Sequence, residues 1–258
     1  SFIIIRVMVT FIIQSRMGST RLPGKLLLPF YGEKTILDIL LDKLRRIERA
    51  DVIIATTDNP TDDPIADKAR QLGVKCYRGS ENDVLARFIE AAKYYGVEKI
   101  VRVCSDNPFI DLNSMQHLVD VADACDADYI SFSVNGIPSI LTHYGFWAEY
   151  VSLRALQAVR ERTDDPFYHE HVTNYIYKHP SEFTIEWLHV EEEIVNHKDI
   201  RLTIDTEKDF RNAGKLFEIL CREKKDLYPD AKEVVKYIEE NPEFLLLMKE
   251  EIRKNEKR

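Results

Sequence analysis

The sequence has few cysteines, and none of them is placed for a shared role. Four occur in 258 residues, at Cys76, Cys104, Cys125 and Cys221, without a Cys-x-x-Cys pair. This spacing argues against a zinc site and against the disulfide framework of a small secreted protein. Neither is needed for stability, because a chain of this length buries roughly three quarters of its unfolded surface. Cysteines without a disulfide pattern suit a reducing compartment, so we expect a cytoplasmic protein.

Positive charge is also in short supply. Lys and Arg number 36 against 44 Asp and Glu, a net charge of −8, which opposes broad binding to nucleic acid or to an anionic membrane. The apolar N-terminal stretch carries Arg6 and lacks a small-residue cleavage site, so it predicts a strand and not a signal peptide. Met8 is a candidate natural start, with residues 1–7 a candidate extension. Because the net charge is negative, a phosphate site must depend on a local concentration of positive charge.

Runs rich in Val and Ile alternate with amphipathic segments, the rhythm of βαβ units around a mainly parallel sheet. We predict strands at 9–14, 51–58, 74–77, 99–106, 127–132, 183–190 and 199–205. Helices are predicted between them, with two consecutive helices near 152–162 and 166–178. The simplest account is a single α/β domain over 1–258, with an irregular excursion around 134–180 and a helical tail at 228–258.

The segment QSRMGSTRLPGK, residues 14–25, follows the first predicted strand directly and concentrates positive charge. Backbone N–H groups near Gly18 and Ser19 can form an anion-binding nest, while Arg16, Arg21 and Lys25 can neutralise a polyphosphate and stabilise departing pyrophosphate. The spacing matches neither a P-loop nor a dinucleotide fingerprint. The alternative interpretation is a solvated basic loop whose glycines only make a turn.

Two aspartates stand where predicted parallel strands end, Asp106 in VCSDNP and Asp205 in LTIDTE. Ligands of open α/β sheets bind at those carboxyl ends. Mg²⁺ prefers oxygen ligands from one or two carboxylates completed by substrate phosphates, so this pair predicts a magnesium site. Each aspartate taken alone is equally typical of a helix cap or a turn.

Four further residues are candidates for nucleotide binding, and each has a structural alternative. Asp58 ends a predicted strand but precedes the turn at Asn59-Pro60. Arg78 and Ser80 precede a predicted helix, whose first N–H groups can meet an anion. Asp83 is equally typical of an N-terminal helix residue stabilised by the helix dipole.

These segments together resemble a known family. SRMGSTRLPGK is similar to the signature of CTP-dependent cytidylyltransferases that activate acidic sugars, and in particular of the spore coat polysaccharide biosynthesis protein F family. The resemblance continues through ATTDNPTDDPIADKARQLGV, YRGSENDVLARFIEAA, VRVCSDNPFID, YHEHVTNYI and RLTIDTEKDF. It implies a three-layer α/β/α sandwich of the glycosyltransferase A type, a CTP site that includes Ser15 and Met17, and a homodimer.

The acceptor side is less defined. Glu170 and His171 belong to an EHVT element that lies near the acceptor in the resembling enzymes, and the irregular excursion supplies His143, Tyr144 and Glu149 as further candidates. A metal role for His169 and His171 is disfavoured, because alternate residues of a helix point to different faces.

We expect transfer of CMP from CTP to an acidic sugar or sugar-like acceptor, with Mg²⁺ as cofactor. Arg16, Lys25, Asp106 and Asp205 form the expected catalytic set. A glycosyltransferase that uses a nucleotide-sugar donor is the rival enzyme, since the same fold serves both chemistries. Its usual D-x-D pair is absent at 105–107, where only one carboxylate stands. A catalytically silent nucleotide-binding subunit is the rival from another class, although the expected catalytic residues are all present.

Overall fold

The computed structural model describes residues 7–222, 224 and 228–255, so most of the candidate N-terminal extension and the last three residues of the tail lie outside the described residues. The strands are β1 Val9–Gln14, β2 Pro29–Tyr31, β3 Lys34–Thr35, β4 Ala50–Thr57, β5 Lys75–Gly79, β6 Lys99–Cys104, β7 Tyr129–Val134, β8 Ile137–Pro138, β9 Glu149–Ser152 and β10 Ile185–His189. The α-helices are α1 Ile36–Leu44, α2 Asp63–Gln71, α3 Val84–Tyr95, α4 Leu112–Ala124, α5 Leu153–Arg162, α6 Pro166–Glu170, α7 Asn174–Lys178, α8 Glu192–Val195, α9 Glu207–Arg222, α10 Ala231–Glu240 and α11 Pro242–Lys254.

The main sheet has the strand order β10-β7-β9-β6-β1-β4-β5, with β8 added to β7 as a short hairpin partner. Strand β1 lies between β4 and β6 and is parallel to both, so that Val9 is opposite Ala50 on one side and Lys99 on the other. The carboxyl ends of these three strands therefore meet at one edge. Strand β9 is antiparallel to both β6 and β7. The sheet is mixed but mostly parallel.

Helices cover both faces of this sheet because the strands alternate their apolar side chains between two cores. Ile12 packs with α3, α5 and α7, whereas Phe11 and Ile13 pack with α1, α4 and the C-terminal helices α9–α11. Helix α1 begins at a capping box in which Thr35 and Asp38 exchange hydrogen bonds. The three-layer α/β sandwich expected from the sequence is confirmed.

Among the differences from the sequence prediction are three in the second half of the chain. Residues 199–205 form no strand, because their extended backbone bonds to two loops: Leu202 N donates to His143 O at 2.9 Å and Ile204 N donates to Asp106 O at 2.9 Å. Strand β9 lies inside the predicted irregular excursion, where four buried residues are too few to show alternation. The helix predicted at 166–178 is interrupted at 171–173, giving α6 and α7.

No helix in the described ranges combines the length and apolarity needed to cross a membrane.

Candidate active site

The basic loop after β1 is held in a compact shape by its own backbone. Ser15 N donates to Ala55 O on β4 at 3.0 Å, which continues the sheet by one residue. The loop then folds around the Met17 carbonyl, which accepts from Ser19 N at 2.9 Å and from Gly24 N at 3.1 Å. Gly24 has a φ of 68°, a left-handed conformation that favours glycine. These bonds fix the loop without help from a ligand.

Asp62, at the start of α2, anchors this loop and is not among the residues predicted from the sequence. Its carboxylate accepts from Met17 N at 2.6 Å through Oδ1 and from the Thr57 hydroxyl through Oδ2. The side chain is buried, with 2 % of the residue exposed. A buried carboxylate that accepts a backbone N–H and a hydroxyl makes strong charge-assisted bonds. It therefore ties the loop to the carboxyl end of β4.

The two predicted metal-site aspartates are brought to the same edge of the sheet. Asp106 follows β6, and the bond from Ile204 N to Asp106 O places the segment before Asp205 beside it. Asp205 Oδ2 accepts from Arg201 Nη2 at 3.0 Å, and Asp205 N donates to Asp209 Oδ2 at 3.0 Å. These two bonds hold the carboxylate and the backbone of Asp205 in place.

Arg201 and Asp209 form the buried support of this aspartate. The Arg201 side chain is fully buried, and it donates to Asp209 through Nε at 2.9 Å and through Nη2 at 2.8 Å. Burial alone would raise the pKa of Asp209, but the bonds from Arg201 outweigh it and the pKa is lowered. Asp209 stays ionised, and Arg201 stays charged between two carboxylates.

Loop and aspartates face each other across a cavity of about 260 Å³. Lys25 Nζ donates to Ile204 O at 2.5 Å, and an Arg21 nitrogen lies 3.4 Å from Asp205 Oδ1. Three cations and two carboxylates therefore line the same cavity, an arrangement that fits a polyphosphate with a metal ion. The cavity is lined by Gln14, Arg16, Gly18, Ser19, Thr20, Arg21, Lys25, Cys104, Ser105, Asp106 and Asp205.

The chemistry of these donors fits Mg²⁺. Asp106 and Asp205 supply hard oxygen ligands to the same cavity, and the remaining positions would fall to waters and substrate phosphates, as is usual for this ion. Within the described ranges, no group of three or more His, Cys, Asp or Glu side chains is arranged so that it could hold a metal ion by itself.

Not every predicted loop residue faces this cavity. Ser15 is 1 % exposed, and its hydroxyl is directed back to Ile13 O at 3.5 Å. The Met17 side chain packs against the core under the loop. Both residues shape the loop backbone, and their place in a nucleotide site remains a prediction.

The four further candidates for nucleotide binding lie near the ends of β4 and β5, outside the cavity lining. Arg78 uses three guanidinium nitrogens on the Thr57 carbonyl, the Asp63 carboxylate and the Asn59 carbonyl, at 2.7–2.9 Å. For the other three candidates, the structural alternative is observed. Asp58 is an exposed turn residue. Ser80 Oγ accepts a hydrogen bond from Asp83 N, and the Asp83 carboxylate caps α3 by accepting from Ala86 N. Their contact with a nucleotide stays a prediction.

His169 joins α6 to this region. Its Nδ1 lies 2.8 Å from Asp83 Oδ2 and its Nε2 lies 2.9 Å from Thr163 O. Burial lowers the pKa of the imidazole, but the Thr163 carbonyl and the Asp83 carboxylate outweigh it, and the pKa is raised above the ordinary value. This histidine therefore has a structural task between two elements.

Arg87 on α3 places a further positive charge near Arg16 of the basic loop. Its guanidinium is fully buried, and its three nitrogens have no hydrogen-bond partner among the described residues. Burial lowers its pKa, and the nearby charge of Arg16 lowers it further. The positive charge adds to the field that attracts an anion to this side of the cavity.

The structure does not bring the five predicted acceptor residues together. Glu149 is 1 % exposed and accepts from Arg102 Nε at 2.8 Å, from the Thr173 hydroxyl at 2.8 Å and from the Tyr129 hydroxyl. It belongs to a buried polar network under the sheet.

The other four acceptor candidates are scattered. The Tyr144 hydroxyl donates to Val195 O at 3.1 Å, and burial raises the pKa of Tyr144 to about 12. His143 Nδ1 accepts from Arg201 at 2.7 Å, while Glu170 and His171 are exposed at the end of α6. An acceptor role for these residues is a prediction that the geometry does not favour.

Comparison with known proteins agrees with this geometry. The model of a family described as Cytidylyltransferase matches residues 10–250. An uncharacterized protein of Methanocaldococcus jannaschii is 35% identical over 234 residues, covering 90% of this chain and 91% of that protein. The spore coat polysaccharide biosynthesis protein SpsF of Bacillus subtilis is 32% identical over 240 residues, covering 91% and 95%.

A solved structure shows the same fold. The cytidylyltransferase of Leptospira borgpetersenii serovar Hardjo-bovis superposes with a TM-score of 0.81 at 28% identity, covering 93% of this chain and 97% of that one. The residues matched by the family model, 10–250, include the basic loop and both aspartates. The chain therefore belongs to the cytidylyltransferase family and is a nucleotidyltransferase.

Proposed function

We propose that this enzyme transfers CMP from CTP to an acidic sugar-like acceptor and releases pyrophosphate. The observation that carries the proposal is the cavity in which Arg16, Arg21 and Lys25 face Asp106 and Asp205. A leaving pyrophosphate needs several cations beside the α-phosphate, and this loop provides them. Preference for CTP over other nucleoside triphosphates is supported by the family to which the chain belongs.

In this mechanism an acceptor oxygen attacks the α-phosphorus of CTP in line with the departing pyrophosphate. Arg16 and Lys25 bind the β- and γ-phosphates and stabilise the charge that develops as the bond to the bridging oxygen breaks. Asp106 and Asp205 would hold Mg²⁺, which when bound neutralises charge on the phosphates. The protein contributes mainly positioning and electrostatic stabilisation, as in other phosphoryl-group transfers.

The Arg21–Asp205 contact gives the loop a role in nucleotide entry. Arg21 is half exposed, and a contact of 3.4 Å at the surface is weak. Arg21 can therefore exchange Asp205 for a substrate phosphate at small cost. Asp205 then keeps its orientation through Arg201, whose side chain is fully buried.

The wider setting extends the same proposal. We assign the reaction to surface-glycan biosynthesis, and this is supported by the relative named for spore coat polysaccharide biosynthesis. The proposed cytoplasmic location is supported by four cysteines that form no disulfide. A homodimer is expected from the family resemblance, and size-exclusion chromatography with light scattering tests it.

Pyrophosphate release with Mg²⁺ and each nucleoside triphosphate in turn tests the proposed reaction, with acidic sugars, sugar phosphates and phosphonates as acceptors. We expect release with CTP that depends on an acceptor and falls by about 10²–10³-fold in Asp106→Asn, the range seen when one stabilising group is removed from a transition state. Asp126→Asn is the matched control, because this carboxylate is 89% exposed and pairs only at the surface with Arg154.

Two results would contradict the proposal. Equal activity of Asp106→Asn and the control would remove Asp106 from the site. No release with any acceptor, together with tight calorimetric binding of a nucleotide sugar, would favour a glycosyltransferase.

A further inference from the structure

A second, smaller cavity opens beside the phosphate cavity, and Cys104 and Asp106 line both. It measures about 50 Å³, and a space of about 10–15 Å³ holds one water molecule. An acceptor must approach the α-phosphorus from the side opposite the leaving pyrophosphate, and this cavity adjoins the predicted metal-site carboxylate. Because it shares Cys104 and Asp106 with the phosphate cavity, it is a candidate place for the acceptor.

Asn107 and Thr203 line this cavity, and each carries a buried polar atom without a hydrogen-bond partner in the described structure. The atoms are Asn107 Oδ1 and Thr203 Oγ1. Asn107 as a whole is 7 % exposed and Thr203 is 5 % exposed. Buried polar atoms are usually satisfied, so a pair of such atoms in one pocket indicates a binding partner. An amide oxygen accepts and a hydroxyl both donates and accepts, which together fit the hydroxyl of a sugar or polyol.

The remaining lining is neutral. Ser139 and Thr142 add hydroxyl groups, and Trp147 adds an aromatic surface that suits the C–H face of a sugar. No Lys, Arg or His lines this cavity in the part of the chain that the structure describes. A carboxylate held inside this pocket would therefore meet no countercharge from its lining.

Two buried arginines of this part of the fold, Arg201 and Arg102, are already committed to buried carboxylates. Arg201 is fully buried between Asp205, Asp209 and His143, and Arg102 is paired with the buried Glu149 at 2.7 Å. Removing either arginine from its partners would leave a buried carboxylate unpaired, which is strongly unfavourable. Neither is available to hold an acceptor carboxylate.

The same lining offers no dedicated general base among the residues that the structure describes. Its ionisable side chains are Asp106, which also lines the predicted metal site, and Cys104. An acceptor that attacks through a neutral hydroxyl must lose a proton during the reaction, whereas a phosphate monoester is largely ionised at pH 7 because its second pKa is about 6.

We propose that the acceptor is a sugar or polyol phosphate or phosphonate, in which the acidic group itself attacks and the uncharged hydroxyl-bearing part occupies the pocket of Asn107 and Thr203. This rests on the proposed CMP transfer. A phosphoryl oxygen of the acceptor forms a bond to the α-phosphorus, the bond from that phosphorus to the α,β-bridging oxygen breaks, and pyrophosphate leaves with the electron pair. With both substrates ionised, no proton is transferred.

An acceptor competition on the wild-type enzyme tests the substrate class. With CTP and Mg²⁺, pyrophosphate release is compared for glucose 1-phosphate, glycerol 3-phosphate, ribitol 5-phosphate and 2-hydroxyethylphosphonate against 3-deoxy-manno-octulosonate and N-acetylneuraminate. We expect release only with members of the phosphorus-containing group. Release only with the carboxylate sugars would overturn this inference and leave CMP transfer intact. Failure to bind CTP in calorimetry would overturn CMP transfer itself.

Two isosteric variants test the pocket. Thr203→Val removes the unpartnered hydroxyl, and we expect it to raise KM for the best acceptor roughly threefold to tenfold, the equivalent of one lost hydrogen bond, with KM for CTP unchanged. Thr56→Val is the matched control, because Thr56 Oγ1 is also buried and unpartnered in the described structure but lies on β4, outside both cavities. Equal acceptor KM values for the two variants would overturn the assignment of the pocket.

Discussion

The anchor of the phosphate loop, Asp62, provides the sharpest test of how the site is built. Its carboxylate holds Met17 N at 2.6 Å and the Thr57 hydroxyl, and it is 2 % exposed. Asp62→Ala removes both bonds and leaves the Met17 N–H without its partner. The change lies outside the cavity lining, so any effect on catalysis must pass through the loop.

The magnitude follows from the two bonds. A hydrogen bond to a charged group is worth about 1.5–3 kcal/mol, so the loss of two lowers the free energy of unfolding by about 3 kcal/mol or more. For a chain of this size that corresponds to a fall in Tm of roughly 6–12 °C, at about 2–4 °C per kcal/mol. We also expect kcat/KM for CTP to fall about 10²-fold, the effect of displacing positioning groups by about 1 Å.

The neighbouring carboxylate is the control. Asp63 is 58% exposed and pairs with Arg78 at 2.7 Å, a surface pair worth about 0.2–1 kcal/mol. Asp63→Ala should therefore change Tm by a few degrees at most. Asp62→Asn, which keeps one acceptor oxygen, should fall between the two alanine variants.

Calorimetric unfolding and steady-state kinetics with CTP measure both quantities on the three variants. If Asp62→Ala matched Asp63→Ala in Tm and in kcat/KM, the loop would not depend on this carboxylate and the reasoning would be refuted. If Tm fell with kcat/KM unchanged, Asp62 would stabilise the fold without positioning the loop.

Three further predictions concern the surroundings of the site. Glu149→Gln leaves the charge of Arg102 buried without its partner, so the free energy of unfolding measured in urea should fall by about 3–5 kcal/mol; an unchanged midpoint would contradict this. Gly145→Ala places a Cβ 2.9 Å from the backbone of the 202–203 segment at a φ of +78°, whereas Gly136→Ala has a φ of +79° and open space. Because both substitutions carry the same backbone strain, calorimetry should show a larger loss of Tm for Gly145→Ala, and the difference between the two variants should reflect the clash. The raised pKa of His169 gives stability that is present below about pH 6.5 and is lost as the pH rises through the folded-state pKa; in His169→Asn the pH dependence of the unfolding free energy between pH 6 and 8 should be reduced.

The fold was accessible from the sequence because its signals are local. The Val- and Ile-rich runs of β1, β4 and β6 are buried on both faces, and such strands are continuous apolar segments. Strand β9 has four residues, and it is antiparallel between two parallel neighbours, so neither length nor alternation marks it. The segment 199–205 has the composition of a strand, but its N–H groups bond to loops.

The site was accessible where charge and position coincide in one motif. Arg16 and Asp106 were predicted because each lies just after a buried strand, and Lys25 because it closes the basic loop that follows the first of these strands. Asp62 gives no such signal, since it lies 45 residues beyond its partner Met17 and the sequence around it also suits a helix start. Long-range pairing of this kind depends on the sheet register, which a single sequence does not contain.

The failure to assemble the predicted acceptor residues has the same origin. Glu149 and His143 are chemically suited to an acceptor, but each is taken up by an arginine that must be neutralised in the interior, Arg102 and Arg201 respectively. Burying an unpaired guanidinium costs far more than a polar side chain gains at a ligand, so these partners are fixed by the fold.

Charged and neutral residues therefore have different roles at this edge of the sheet. Charged residues behind the site, of which Arg201 and Asp209 are the clearest pair, set the direction of Asp205 before any ligand arrives. Such preorganised charge is what stabilises a transition state without reorganisation during the reaction. Neutral groups such as Asn107 and Thr203 are left to meet the acceptor, because they can stay unpaired at lower cost than ions. An acceptor that brings its own negative charge to the phosphorus then needs only hydroxyl recognition from the rest of the pocket.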